Sequence, residues 1–187
     1  MASEKLIEAI VAEHPFFREL RSRYLKLIAK GAEEASFSPN QILFREGEYA
    51  SRFYLIQSGQ VALESTAGAR APIRIQVVSS GEVLGWSWLF PPYHWHFQAR
   101  ALEPTTAVSL DAPHLLIACE DSPELGYVLM KRISQVLIQR LQSTGQRLLQ
   151  SGNPEEQHWT ADSASQMNRQ ESKSTPPIAN DENGDEL

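Results

Sequence analysis

Cysteine is almost absent from this chain of 187 residues, in which Cys119 is the only one. A single cysteine excludes an internal disulfide and favours a reducing compartment over a secreted location. Long apolar runs are missing as well, since no stretch approaches the ~20 apolar residues of a membrane helix. Charged residues interrupt the N-terminal positions that a signal peptide would keep apolar. The sequence therefore predicts a cytoplasmic protein that does not enter a membrane.

A basic excess is also missing. The formal net charge is −6, and residues 152–187 hold eight acids against two bases, which leaves 15 of each in residues 1–151. Without a concentrated basic face, direct binding to DNA is not expected. The last 36 residues have few large apolar side chains to offset the entropy of ordering them. They are predicted to form a disordered acidic tail.

Catalytic motifs are absent from the sequence. It contains no Gly-x-Ser-x-Gly elbow and no phosphate loop that ends in Gly-Lys-Ser or Gly-Lys-Thr. His94 and His96 have a spacing that some metal sites use, but no third ligand lies near them in the sequence, so surface or hydrogen-bonded histidines are the better interpretation. The chain is therefore predicted to be no enzyme and to hold no metal.

The two ends of the domain are predicted to be helical. Apolar spacing predicts a first helix over residues 3–12 and a second over about 16–30. Asp111 is a candidate N-cap for a short helix whose Leu115, Leu116 and Ile117 would face the strands. After a break at residues 121–123, a long helix is expected over about 123–150.

Short strand-like segments bounded by turn residues fill the region between the helices. They lie at residues 35–37, 42–44, 53–57, 61–64, 73–78, 97–102 and 107–110. Roughly eight short strands without a helical crossover indicate a mainly β fold with flanking helices. We predict an eight-stranded antiparallel β-roll of the jelly-roll type at about 33–111, in a single domain over residues 1–151 that precedes the tail at 152–187.

The long helix carries an apolar stripe with a near-heptad rhythm. Its members are Leu125, Val128, Leu129, Ile133, Val136, Leu137, Leu141 and Leu148. A helix that extends beyond a small roll needs another surface to cover it, which predicts a homodimer through this helix. The alternative is that the stripe packs onto the chain's own roll.

Aromatic residues concentrate in residues 81–101. Trp86, Trp88 and Trp95 lie there, with Tyr93 and Phe97. So much aromatic area in so few residues must pack under something or against a ligand. The stretch is therefore the candidate ligand pocket, either reshaped to stack a planar or apolar ligand or filled by its own side chains.

The amino-acid sequences of two predicted strand segments resemble those of a known family. Ile-Leu-Phe-Arg-Glu-Gly-Glu at 42–48 and Phe-Tyr-Leu-Ile-Gln-Ser-Gly-Gln-Val at 53–61, with the order of helices and strands, resemble the cyclic-nucleotide-binding domain family. This is the sensor half of the catabolite-activator-like (Crp-Fnr-like) transcription factors, and the resemblance covers about residues 14–150. It implies a non-enzymatic regulatory role. The polar residues after the long helix do not resemble the DNA-binding half of these factors, so a partner protein is the expected target.

The resemblance also implies a phosphate-binding cassette after the Gly81-Glu82 turn. In the family this cassette has a glutamate for the ribose and an arginine for the cyclic phosphate. This sequence keeps Gly85, but Trp86 stands at the place of the glutamate, and Trp95 or His94 stands near the place of the arginine. The candidate pocket residues are Gly81, Glu82, Val83, Leu84, Gly85, Trp86, Ser87, Trp88, Trp95, His96 and Phe97.

Three functions follow as hypotheses. The first is a sensor module with an altered pocket that does not bind cAMP in the family's usual way. The second is a protein that does bind cAMP or cGMP, through a relocated cation, and acts through its C-terminal helix. Arg100 is expected to point away from the pocket by strand alternation, and Arg74 is not placed by the sequence. The third is a purely structural interaction domain.

Overall fold

A computed structural model describes residues 2–66 and 71–151. The predicted disordered tail at 152–187 lies outside the described residues. The chain divides into two compact units, one up to Val136 and one from Leu137. None of the described helices is both long and apolar enough to span a bilayer. The cytoplasmic location stays a prediction from the sequence.

The N-terminal helices differ in part from the prediction. Helix α1 (Ala2–Glu13) is confirmed, but the single second helix predicted over 16–30 is wrong. A 3-10 helix (Pro15–Phe17) and helix α2 (Ser22–Ala29) take its place. The reason is local backbone geometry: Glu19 adopts a φ of 65° and Arg21 is extended, and neither conformation continues a helix.

Over residues 2–66 and 71–151, eight strands form two antiparallel sheets, which confirms the predicted fold class. The strands are β1 (Glu33–Phe37), β2 (Ile42–Phe44), β3 (Arg52–Ser58), β4 (Gln60–Ser65), β5 (Ile73–Ser79), β6 (Val83–Leu84), β7 (Gln98–Ala101) and β8 (Thr105–Asp111). One sheet has the order β1-β8-β3-β6 and the other β2-β7-β4-β5. The strand β6 was not predicted from the sequence, because two residues are too few for any alternation to show.

Successive residues of β3 point to the two faces of the first sheet, and these faces pack against different parts of the fold. The Phe53 ring lies 5.5 Å from Phe16, on the side covered by the N-terminal helices. Tyr54, the next residue, points to the opposite side and lies 6.0 Å from Phe44 of the second sheet. The space between the two sheets, which Tyr54 and Phe44 enter from either side, is called the roll interior below.

The helix α3 (Ala112–Asp121) begins where the sequence predicted. The Asp111 carboxylate accepts a hydrogen bond from the His114 backbone N–H at 2.8 Å, which confirms the N-cap. Leu115 is buried and Leu116 partly buried, but Ile117 is 55% exposed, so the expectation that Ile117 faces the strands is wrong. A surface helix of this kind buries one face against the fold, and Ile117 lies on the other face.

The helix α4 (Pro123–Ser151) confirms the predicted long helix, but its apolar stripe does not form one surface. Leu125, Leu129 and Ile133 are buried in the core of the first unit. They follow the alternative in which the stripe packs onto the chain's own fold. Farther along the helix, Leu137 and Leu141 are exposed.

Polar contacts fasten the start of α4 to the N-terminal helices. The Glu124 carboxylate accepts hydrogen bonds from Arg21, Arg23 and the Tyr24 hydroxyl. These hydrogen bonds, the one from Tyr24 first, hold the pKa of Glu124 below its usual value. The Arg132 guanidinium donates to the backbone carbonyls of the 3-10 helix segment. The two ends of the first unit are therefore joined directly.

His14 joins α1 to the 3-10 helix and is buried, with 6% of its surface exposed. Its Nδ1 accepts a hydrogen bond from the Phe16 backbone N–H at 3.2 Å, so the neutral ring caps the 3-10 helix. Burial lowers the pKa of His14 below its usual value, and the backbone of Ile56 opposes part of that shift. The folded protein therefore favours the uncharged imidazole.

We expect the protein to lose stability as the pH falls below about 6.5, the ordinary pKa of histidine. The unfolded chain binds the proton more readily, so the contribution of His14 is complete above that pH and is lost as the pH falls through the lowered folded-state pKa. His14→Asn keeps a side-chain acceptor for the cap but does not titrate. Urea unfolding between about pH 5 and 7.5 should then show a flatter pH dependence for this variant than for the wild type. Equal slopes, with His94→Gln as a surface control, would contradict the prediction.

Candidate functional site

The stretch between β5 and β7, residues 81–97, is called the β6–β7 segment. It begins with a tight turn at Gly81, whose φ is 82°. The Gly81 N–H donates to the Ile56 carbonyl at 2.8 Å, and the Ile56 N–H donates to the Glu82 carbonyl at 3.0 Å. The Glu82 carboxylate accepts from the Ser79 N–H at 2.7 Å, so this candidate pocket residue supports the turn. Val83 and Leu84 follow, both buried against β3.

Gly85 turns the chain from β6 into a second 3-10 helix (Trp86–Leu89). Its φ of 92° is in the left-handed region, which explains why glycine stands here. Trp86 is partly buried against the core. Trp88 is almost fully buried, and its ring lies 6.1 Å from Phe53, on the helical side of the first sheet. These two tryptophans therefore lie at the start of the segment, with Trp88 turned away from the roll interior.

Trp95 is fixed at the other end of the segment by its backbone. Its N–H donates to the Glu48 carbonyl and its carbonyl accepts from the Gly47 N–H, each at 2.8 Å. Two residues earlier, the Tyr93 carbonyl accepts from the Ala50 N–H at 2.7 Å. The β2–β3 turn therefore holds the end of the segment in place.

The Trp95 side chain lies in the roll interior. It is 5% exposed, and its ring stacks on Phe44 with centroids 3.9 Å apart and planes 18° apart. Phe44 in turn stacks on Tyr54, and Phe37 meets Tyr54 edge to face. Together Phe37, Tyr54, Phe44 and Trp95 form the aromatic column, which joins the two sheets. Stacked and edge-to-face pairs of this kind each add about 0.5–1.5 kcal/mol beyond area burial.

Trp95 also touches Gly85 across the segment. A Cβ built on Gly85 would lie 2.9 Å from two carbons of the Trp95 ring and 3.0 Å from the Arg52 carbonyl oxygen. No real Cβ fits at those distances, so the glycine and the indole are packed as a pair. The structure thus brings together two candidate pocket residues that are ten positions apart in the sequence.

Two arginines near the segment lie on the far side of the second sheet. Arg100 is opposite Ala62, whereas its neighbour Ala99 is opposite Phe44 and belongs to the core. Arg100 therefore points away from the roll interior, as strand alternation predicted. Its Nε donates to the Glu64 carboxylate at 3.0 Å. Arg74 is paired with Glu64 across β4 and β5, which places it on the same outer face.

Arg52 lies closer to the roll interior. It is two residues before Tyr54 on β3, so it shares that side of the strand. Its Nη2 lies 2.9 Å from the Glu33 carboxylate, with 35% of the Arg52 side chain exposed. Burial raises the pKa of the Tyr54 phenol, and the Arg52 charge opposes this. Arg52 is therefore a candidate partner for an anion beside the aromatic column.

Of the remaining candidates, Ser87 is buried, whereas His96 and Phe97 lie toward solvent. His96 is exposed, and its Nδ1 lies 3.2 Å from the Ser87 hydroxyl, while Phe97 is 37% exposed. His94 is exposed and contacts the Pro92 carbonyl through Nδ1. Within residues 2–66 and 71–151, no three His, Cys, Asp or Glu side chains are grouped to hold a metal ion. Burial raises the pKa of Cys119 to about 11, so this thiol is protonated at neutral pH.

Comparison with known proteins assigns the family. The sequence profile of the cyclic nucleotide-binding domain matches residues 34–122. A putative cyclic nucleotide-binding protein from Geobacter metallireducens is 30% identical, with a TM-score of 0.65, over 75% of this chain and 99% of that one. The chain belongs to the cyclic nucleotide-binding domain family. The resemblance read from the two strand segments is confirmed.

Other members of the cyclic nucleotide-binding domain family are more distant. The CRP-like cAMP-activated global transcriptional regulator of Mycobacterium tuberculosis is 25% identical over 142 residues, which are 76% of this chain and 62% of that protein. The sensor domain of the transcriptional regulator DNR from Pseudomonas aeruginosa shares the fold, with a TM-score of 0.62 at 19% identity, over 76% and 95% of the two chains. This chain spans less than two thirds of the length of that curated relative.

The sequence did not single out several residues that lie around Trp95 and Gly85, directly or through the aromatic column, in this cyclic nucleotide-binding fold. Phe37, Phe44 and Tyr54 complete the aromatic column, and Arg52 lies beside it. All four belong to strands that the sequence predicted, or border one. Their aromatic or charged character was visible, but the side of the sheet that each one faces depends on strand pairing.

Proposed function

We propose that this chain is a non-enzymatic regulatory or sensor module whose β6–β7 segment does not bind cyclic nucleotides in the family's usual way. The position of Trp95 carries the proposal. Its buried indole is stacked on Phe44 and packed against Gly85. By the resemblance, Trp95 or its neighbour His94 stands near the place of the phosphate-binding arginine. An indole has a single N–H donor and no charge, so it cannot replace a bidentate guanidinium.

Charge balance supports this function. A cyclic phosphate is an anion, and transferring it from water into a protein interior is costly unless cations or N–H donors pair with it. Arg100 and Arg74 lie on the outer face of the second sheet, and Arg100 is bound to Glu64. Trp86 adds no carboxylate for a ribose hydroxyl. The segment therefore favours an apolar filling over a nucleotide.

We further propose that the module acts as a homodimer through α4, and that its signal passes to a partner protein. Tyr127, Met130, Leu137 and Leu141 are exposed apolar residues of this helix. Their positions recur at helical spacing along one stripe, which is distinct from the buried Leu125, Leu129 and Ile133. A second copy of the same helix has a complementary stripe, because a two-fold interface uses one patch twice.

A second candidate function rests on Arg52. Its side chain lies on the Tyr54 side of β3, and its carbonyl oxygen lies close to Gly85. If Trp95 moved aside, this guanidinium would be a cation available to a phosphate at the segment. In that case the chain binds cAMP or cGMP with a relocated cation, and Glu33 loses its ion pair on binding.

Titration calorimetry with cAMP and with cGMP at physiological salt separates the two functions. We expect no saturable heat up to about 1 mM of either nucleotide, a concentration that would reveal any affinity better than about 4 kcal/mol. Submillimolar binding that Arg52→Gln abolishes and Arg74→Gln preserves would establish the second function. Arg74 is the matched control, since it is an exposed arginine on the outer face of the second sheet.

A further inference from the structure

Trp95 connects three parts of the chain that are far apart in sequence. Its backbone bonds to Gly47 and Glu48 in the β2–β3 turn, and its ring stacks on Phe44 at the end of β2. The same ring packs against Gly85, which begins the second 3-10 helix. A small molecule bound between the roll and the segment would make connections of this kind. Here a side chain of the protein makes them.

We propose that the Trp95 indole acts as a built-in ligand, which keeps the β6–β7 segment closed on the roll without any small molecule. This inference rests on the proposed function, because it takes the place beside Gly85 as filled by the protein itself. It goes further, because it makes the indole ring the group that orders the segment. The domain then holds one closed arrangement independently of cyclic nucleotide levels.

The second buried tryptophan of the segment provides the contrast. Trp88 is 2% exposed, as deeply buried as Trp95. Its ring lies beside Phe53 on the helical side of the first sheet and does not belong to the aromatic column. Removing Trp88 therefore deletes a similar apolar volume but leaves the contacts among Trp95, Phe44 and Gly85 in place.

Removal of the Trp95 side chain should create a flat apolar site. Phe44 supplies one wall and the Cα of Gly85 the opposite edge. Cavities left by large-to-small substitutions in apolar cores stay open to apolar guests of matching shape. Free indole matches the deleted group and would restore the same stacking contact.

The test compares Trp95→Ala with Trp88→Ala by amide hydrogen exchange and by thermal unfolding, each with and without free indole. We expect the amide protection factors of residues 85–97 to fall by at least about tenfold in Trp95→Ala, while those of β3 change less. Millimolar indole should restore this protection and raise the unfolding temperature of Trp95→Ala with increasing concentration, as ligand linkage requires. Trp88→Ala should show neither the selective loss in the segment nor an indole response at Trp95.

If Trp95→Ala does not fold alone, refolding it in the presence of indole provides the same test. Trp95→Phe, which keeps a smaller ring, then serves as the second variant and should show a partial loss of protection in the segment. The proposal is overturned if the segment stays as protected in Trp95→Phe as in the wild type, or if indole has no effect on Trp95→Ala. Neither result depends on nucleotide binding by the wild type, so a failure here is distinct from a failure of the calorimetric test.

Discussion

Gly85→Ala is expected to lower the free energy of unfolding by about 2–5 kcal/mol, compared with about 1–2 kcal/mol for Gly47→Ala. Both glycines have left-handed backbones, with φ of 92° and 84°, so alanine costs about 1–2 kcal/mol of backbone strain at either position. Only Gly85 is crowded: its added Cβ meets the Trp95 ring at 2.9 Å, whereas nothing lies within 4 Å of the one added to Gly47. Overpacking adds about 1–3 kcal/mol at Gly85.

Urea unfolding of the two variants, followed by tryptophan fluorescence, measures this difference. The double variant Gly85→Ala with Trp95→Phe reports on its cause, because a smaller ring leaves room for the methyl group. A coupling energy of about 1 kcal/mol or more between the two sites is expected for residues in contact. Equal losses for Gly85→Ala and Gly47→Ala would show that the indole does not press on the glycine.

The second large effect is a difference in stability between substitutions on the buried and the exposed face of α4. Leu129→Ala should lower the free energy of unfolding by about 2–5 kcal/mol, because Leu129 is 1% exposed in the core and its truncation leaves a cavity. Tyr127→Ala, only two residues away, removes a side chain that is 68% exposed. It should change the stability of the single chain by less than about 0.5 kcal/mol. Chemical unfolding at low protein concentration measures both.

Sedimentation equilibrium of the same two variants tests the proposed dimer. Tyr127→Ala should weaken self-association by at least about tenfold, since tyrosine is among the residue types whose truncation in an interface most often costs more than about 1 kcal/mol. Leu129→Ala should leave the association constant close to that of the wild type at concentrations where the protein is folded. A wild type that is monomeric at about 100 μM, a concentration typical of such measurements, would refute the dimer.

The regular elements were predictable because their signals are local. Seven of the eight short strands in the described residues, the Asp111 cap and the long helix from Pro123 each follow from residues that are neighbours in the sequence. The errors are local too. The second helix was predicted too long because the left-handed residue Glu19 is not a glycine, and β6 was missed because two residues show no period.

The candidate site was predictable only in outline. The sequence located the cluster of tryptophans and the glycine turns, and by the resemblance it placed Trp95 or His94 near the position of the family's phosphate-binding arginine. It did not show that Trp88 faces the helices while Trp95 enters the roll interior, because both are aromatic residues in the same irregular segment. The partner ring Phe44 lies on another strand, and no pattern along the chain links the two positions.

Sequence alone determined the family and the roll, because turn glycines and strand alternation act over a few residues and do not depend on distant contacts. Tertiary structure decided which aromatic ring stacks beside Gly85, which face the arginines take, and which stripe of α4 is covered. Those outcomes depend on the pairing of strands and the packing of helices that are far apart along the chain, and in a strand a shift of one residue would turn each side chain to the other face.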